Sequence, residues 1–228
     1  MGHDASPCEA PACHEMAMIR WAGFLYLVIL VAGLGAEIGL RGPLVTPGDA
    51  DATAAAIVAQ TEMYRAAIAA DLIMAMADAG LAVLLFLIFR TALPGLALAA
   101  MVFRLIQTVL IAGNLMNLQT ALILIVGGES QALAMLYIEL HGLGYDLGLF
   151  FFGVNSTLTG WLIWKTRMFG RVFGAGIFFA GWVYLAGSGL NFFAPVYHAA
   201  FLPAYGLTIL AETAFCLRLL FHREGARP

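Results

Sequence analysis

Charge is what this sequence has least of. Of its 228 residues only 11% are Asp, Glu, Lys or Arg, against 62% hydrophobic ones, whereas a soluble domain carries about 25% charged residues. Mean hydropathy is +0.91. A water-soluble fold of this composition would expose far too much apolar surface, which excludes the soluble classes. Lysine is reduced to Lys165, and the formal net charge is −3; no nucleic-acid partner fits such a surface. Cysteine is scarce too. Cys8, Cys13 and Cys216 make no disulfide framework. No hydrophobic segment carries a His-x3-His or Glu-x2-His pair, which weighs against a metal centre. Two histidines at matched depths for a haem are missing as well. The alternating pattern of a membrane barrel is also absent.

What remains is apolar and long. Six runs stand out, at 21–40, 67–89, 96–126, 136–164, 172–190 and 199–221, each near the length of about 20 residues that a spanning helix needs. The third and fourth exceed it, so they tilt or extend beyond the bilayer. The expected fold is all-α: an integral membrane bundle of six transmembrane helices over residues 20–222, with the lipid bilayer as its solvent. The first run follows a polar tail and is too long for the core of a cleaved signal, so it is expected to stay as an anchor. Residues 1–19 and 223–228 read as cytoplasmic tails, the first a disordered leader. Its Cys8-x4-Cys13-His14 matches no standard zinc spacing.

Six spans put both termini on one side. That side receives Arg20, Arg90, Lys165, Arg167, Arg171, Arg218, Arg223 and Arg227, and the other only Arg41 and Arg65. The positive-inside rule therefore places both termini in the cytoplasm. The segment 41–65 is the single long loop. Pro43 and Pro47-Gly48 turn it, and Asp49 is placed to cap a short alanine-rich helix running to Gln60, a lid for the outer end. Gly144-x3-Gly148 and Gly170-x3-Gly174 fit the small-residue spacing that lets helices approach closely.

The charges that do exist lie inside the apolar runs. Each costs roughly 2.5–3.5 kcal/mol at a helix centre on the mildest scale unless paired or wetted. Asp71 and Asp78 share a face of the second span, seven residues apart. Arg104 lies too deep in the third to snorkel easily, and Asp78 and Glu212 both qualify as its partner at similar depth. A brace of this kind fixes helix register, and the acid left over becomes a candidate proton carrier. Asn114, Asn117 and Asn155 read as helix-to-helix hydrogen bonders. The fourth span carries Glu139, His141, Tyr145 and Asp146 on opposing faces, so it is either central or projects its first turn from the membrane. Asp71, Glu139, His141 and Asp146 form a possible outer cluster, with His198 beside it. Gly181, Tyr184, Ser188 and Asn191 make a mild polar stripe on the fifth span, and Glu212 shares a face with Tyr205 and Thr208 on the sixth.

In order and spacing, these landmarks resemble an uncharacterised bacterial membrane family, domain of unknown function 4386. The resemblance rests on Ala22-Gly23-Phe24-Leu25-Tyr26-Leu27 with Glu37, on Pro47-Gly48-Asp49-Ala50, and on Ala69-Ala70-Asp71-Leu72 with Asp78. It continues through Phe103-Arg104-Leu105-Ile106-Gln107, Glu139-Leu140-His141, Tyr145-Asp146, Phe151-Phe152-Gly153 and Glu212. It implies a six-helix domain in the bacterial cytoplasmic membrane and no settled activity, cofactor or catalytic residue. The expected function is a small transporter or sensor with an outward-facing polar cavity for an ion, proton or small solute. The candidate cavity residues are Asp71, Asp78, Arg104, Asn114, Asn117, Glu139, His141, Tyr145, Asp146 and Glu212. The alternatives are an intramembrane metal-assisted enzyme and a structural or accessory subunit without catalysis. Cofactor and oligomeric state are left open.

Overall fold

The computed structural model describes residues 10–222, with side chains from His14 onward. Cys8 and the tail 223–228 lie outside the described residues, as does the side chain of Cys13. Helix α1 spans Ala10–Leu34 and so begins well ahead of the first apolar run. It passes into a π-helical stretch, Gly35–Arg41, and a short 3-10 turn, Gly42–Leu44. There follow α2 (Ala50–Ala59), α3 (Thr61–Phe89), α4 (Pro94–Val126), α5 (Gln131–Thr166), α6 (Arg171–Phe193), α7 (Pro195–Phe201) and α8 (Tyr205–Leu220). Among the described residues no strand occurs. Six of the helical segments are long and apolar enough to cross a membrane. The protein is an all-α, multi-pass membrane bundle.

Local chemistry sets the boundaries. Pro94 and Pro195 open α4 and α7 at the first helical position, where the missing N–H costs nothing. The Ser130 hydroxyl caps α5 by accepting from the Leu133 N–H at 3.3 Å. The Asp49 carboxylate accepts from the Ala52 N–H at 2.9 Å, so the capped loop helix is where the Pro-Gly-Asp signal puts it. The buried face of α2, Thr53, Ala54 and Ile57, packs toward α4 and α5. It covers the end of the bundle opposite Ala10 and His222. That covered end is called distal below, and the end holding Ala10 and His222 proximal.

The long helices form a closed ring in the order α1, α3, α4, α5, α6, α8, with α8 packed back on α1. Their outer faces are apolar and exposed, as at Val31, Met76, Val109, Met116, Phe179 and Leu210, as suits lipid. Close approach is set by glycine where it matters. On α6, a Cβ at Gly174 would lie 2.7 Å from the Trp164 backbone nitrogen and 3.0 Å from the Gly160 carbonyl oxygen of α5. On α5, a Cβ at Gly153 would meet the Gly181 carbonyl oxygen at 2.9 Å. Two apolar clusters fill the ring. One is proximal, around Tyr26, Phe89, Phe169 and Phe215; the other is distal, around Leu44, Ile57, Tyr64 and Leu118.

Candidate functional site

Between the two apolar clusters all six long helices contribute to a polar centre: Tyr26, Asp78, Arg104, Asn155, Tyr184 and Glu212, each no more than 9% exposed. Asp78 and Arg104 are its ion pair. The Arg104 Nε–H donates to Asp78 Oδ1 at 2.8 Å, and Nη2 lies 2.6 Å from the same oxygen as a charge contact without hydrogen-bond alignment. Thr108 donates its hydroxyl to Asp78 Oδ2 at 2.6 Å. The Asn155 amide nitrogen donates to the Ala100 carbonyl at 2.8 Å, while its oxygen faces Arg104 Nη1 at 3.4 Å. The guanidinium also lies over the rings of Tyr26 and Phe152, at 5.5 and 5.2 Å, which favours its charge where water is scarce. A cleft lined by Phe86, Ala97, Ala100, Met101, Asn155 and Thr159 reaches Arg104. It lies among the proximal halves of α3, α4 and α5, on the side away from the expected outward-facing cavity.

Glu212 is the acid left over. Its carboxyl accepts from the Tyr184 hydroxyl at 2.7 Å, and no ion pair is formed by it among the described residues. It is 5% exposed.

The second deep ion pair joins elements that the sequence pattern keeps apart. Arg41, which reads as an outer-loop charge, is 4% exposed and donates Nη1–H to Asp71 Oδ2 at 2.6 Å, with Glu37 as a second carboxylate partner. The π-helical stretch explains the reversal. Its wider turn, marked by the Gly42 N–H bonding five residues back to Glu37, rotates Arg41 inward while Glu37 stays outside.

The expected outer cluster does not assemble. Glu139 is exposed. His141 turns to α4, where the Asn114 amide nitrogen donates to the His141 carbonyl at 2.6 Å and lies 3.1 Å from Nδ1. Asn117 donates to Asn114 within the same helix at 2.7 Å, rather than to another helix. Tyr145 reaches the Met74 sulfur on α3 at 3.9 Å. Asp146 faces the other way and accepts from Asn191 of α6. Among the described residues no three His, Cys, Asp or Glu side chains converge as a metal site would need. The two faces of α5 thus serve different neighbours, and its exposed edge holds Glu139. The helix is a member of the ring, not its centre.

A second, distal polar group was present in the sequence only as two stripes. The stripe on α6 (Tyr184, Ser188, Asn191) and that on α8 (Tyr205, Thr208, Glu212) face one another. The rings of Tyr184 and Tyr205 are 5.7 Å apart. Asp146 and Asn191 lie at the distal end of this seam and Glu212 at its centre, next to Arg104 and Asp78. Arg104, Tyr26 and Tyr184 were the signals to follow, since polar groups recur on the inward face of every long helix.

A family profile described as Domain of unknown function (DUF4386) matches residues 21–222. The chain belongs to this family. No curated protein and no solved structure matches it. The match begins within α1 and ends just past α8, so the whole ring, with both ion pairs and the α6–α8 seam, is DUF4386 domain.

Proposed function

We propose that the protein moves a proton or small cation across the bacterial cytoplasmic membrane along the seam between α6 and α8, with Glu212 as the exchanging group. One observation carries this: of the acids on the central face, Asp78 has Arg104, while Glu212 has a phenol and no cation. A carboxyl held this way inside a membrane domain is expensive to keep and is the default place to look for function. A line of hydroxyls supports the reading, from Ser188 and Tyr205 through Tyr184 and Thr208 to Glu212. In this reading the termini are cytoplasmic, and the polar mouth near Asp146 opens outward. A metal-assisted enzyme is disfavoured by the dispersal of Asp71, Glu139, His141 and Asp146 over three different neighbours.

The test is flux in proteoliposomes driven by a potassium diffusion potential, read with an internal pH dye and with radioactive sodium. The wild type is expected to carry protein-dependent flux of one of these ions. Glu212→Gln should reduce it to the level of empty vesicles, and Glu139→Gln should leave it unchanged. Absence of protein-dependent flux, or full flux in a folded Glu212→Gln variant, would overturn the proposal in favour of an accessory subunit whose charges serve packing alone.

A further inference from the structure

We infer that the distal half of α5 and the distal ends of α6 and α8 hold a binding site for a small hard monovalent cation of the sodium class, built on Asp146, Asn191, Ser188 and Tyr205. The inference deepens the reading above by naming the ion and the mouth of its path; it rests on that reading only for onward passage to Glu212.

Asp146 is the second acid of the transmembrane helices, after Glu212, that is neither exposed nor ion-paired among the described residues. Asp71 and Asp78 are each matched to an arginine, and Glu139 is exposed. Asp146 has the neutral amide of Asn191 as its hydrogen-bond donor, which occupies Oδ2 and leaves Oδ1 free. His198 and Tyr205 are its electrostatic neighbours. Along the seam next to Asn191, polar atoms go unused. Ser188 is fully buried, at 0% exposure, yet its hydroxyl makes no hydrogen bond to any described residue. The Tyr205 hydroxyl and His198 Nε2 are buried and equally without a partner. Ser188 and Tyr205 are within reach of each other, and Tyr205 lies directly against Gly187, the neighbour of Ser188.

Buried polar groups are almost always satisfied; here the Ser188 and Tyr205 hydroxyls have only each other within reach and His198 Nε2 has no partner among the described residues, which points to a further ligand at this end of the seam. The chemistry of the set selects the ligand. It is rich in oxygen, holds one carboxylate and contains no arginine or lysine, which rules against an anion. Calcium takes about 6–8 oxygen ligands, more than this set offers. One negative oxygen with neutral amide and hydroxyl oxygens matches a single positive charge.

The experiment uses the full-length protein in detergent. Its thermal unfolding is followed as sodium chloride replaces choline chloride at constant ionic strength. The midpoint is expected to rise saturably with sodium, and Asp146→Asn should abolish the rise. Ser188→Ala should weaken the apparent affinity roughly three- to tenfold. Its unfolding midpoint in choline should stay close to wild type, because the Tyr205 hydroxyl is the one described group within its reach; this variant carries the test if Asp146→Asn does not fold. Equal midpoints in sodium and choline, or wild-type sodium response in both variants, would mean that water alone fills the site and would overturn the inference. Glu212→Gln separates the two proposals. It should keep the sodium shift while losing flux. Flux without a sodium shift in the wild type would remove this inference alone, and a sodium shift without any flux would remove the transport reading alone.

Discussion

At the scale of the residue, the arginines divide the buried acids into paired and unpaired ones. Removing one member of a buried ion pair strands the other, at a typical cost of about 3–5 kcal/mol, whereas apolar replacement of both is often near neutral. Arg104→Ala and Asp78→Leu are therefore each expected to destabilise the protein by about 3–5 kcal/mol. The double variant Arg104→Met with Asp78→Leu should recover most of that, measured by reversible unfolding in mixed micelles. Additive losses in the double variant would show that the two do not act as a pair. That Arg104 needs an acid was legible from its depth. The choice between Asp78 and Glu212 was not, because the helix ends are not level: Leu220, the last residue of α8, packs against Gly23, which lies 23 − 10 = 13 residues into α1. Arg41 was not legible, because no periodic pattern announces a π-turn.

At the scale of the element, helix approach decides which stripes meet. The glycines of α5 and α6 form an antiparallel seam in which Gly160 opposes Gly174 and Gly153 opposes Gly181. The obstacle to a side chain at Gly174 is backbone, which cannot swing aside. Gly174→Val is expected to cost at least about 1–3 kcal/mol, as overpacking does. Gly113 has nothing within 4 Å of its would-be Cβ, so Gly113→Ala should stabilise by up to about 1 kcal/mol through helix propensity. Thermal midpoints in one detergent check both signs, and a neutral Gly174→Val would mean that α5 and α6 are not held so closely. The four-residue spacings made Gly144, Gly148 and Gly174 readable as contact points. Gly144 and Gly148 meet Asn114 and Ile111 of α4, but Gly170 instead takes φ 97° before α6. Gly153 and Gly181 went unread because their partners recur every seven residues, a spacing that many apolar helices show by chance. The same limit hid the α6–α8 seam. Each stripe was visible alone, and only the ring order sets them face to face.

At the scale of the whole molecule, the ring gives each end a different chemistry, and orientation decides what that difference does. Arg20, Arg90, Lys165, Arg167, Arg171 and Arg218 belong to the proximal half among the described residues, while the distal half has Arg41 and Arg65. Burial of Arg41 against Asp71 leaves Arg65 as the exposed distal arginine among the described residues, so the asymmetry is steeper than the sequence count. Retention of positive charge on the cytoplasmic side would put the Asp146 end of the seam outside and the cleft at Arg104 inside. Single cysteines in a background with Cys8, Cys13 and Cys216 changed to Ser test this directly. Glu62 has an 84% exposed side chain and lies at the start of α3, at the distal end; Thr91 is exposed in the proximal turn between α3 and α4. An impermeant maleimide applied to intact cells should label Glu62→Cys and should reach Thr91→Cys only after permeabilisation. The opposite pattern would turn the bundle over. The cation site at Asp146 would then face the cytoplasm, and any flux through Glu212 would have to be read as beginning there.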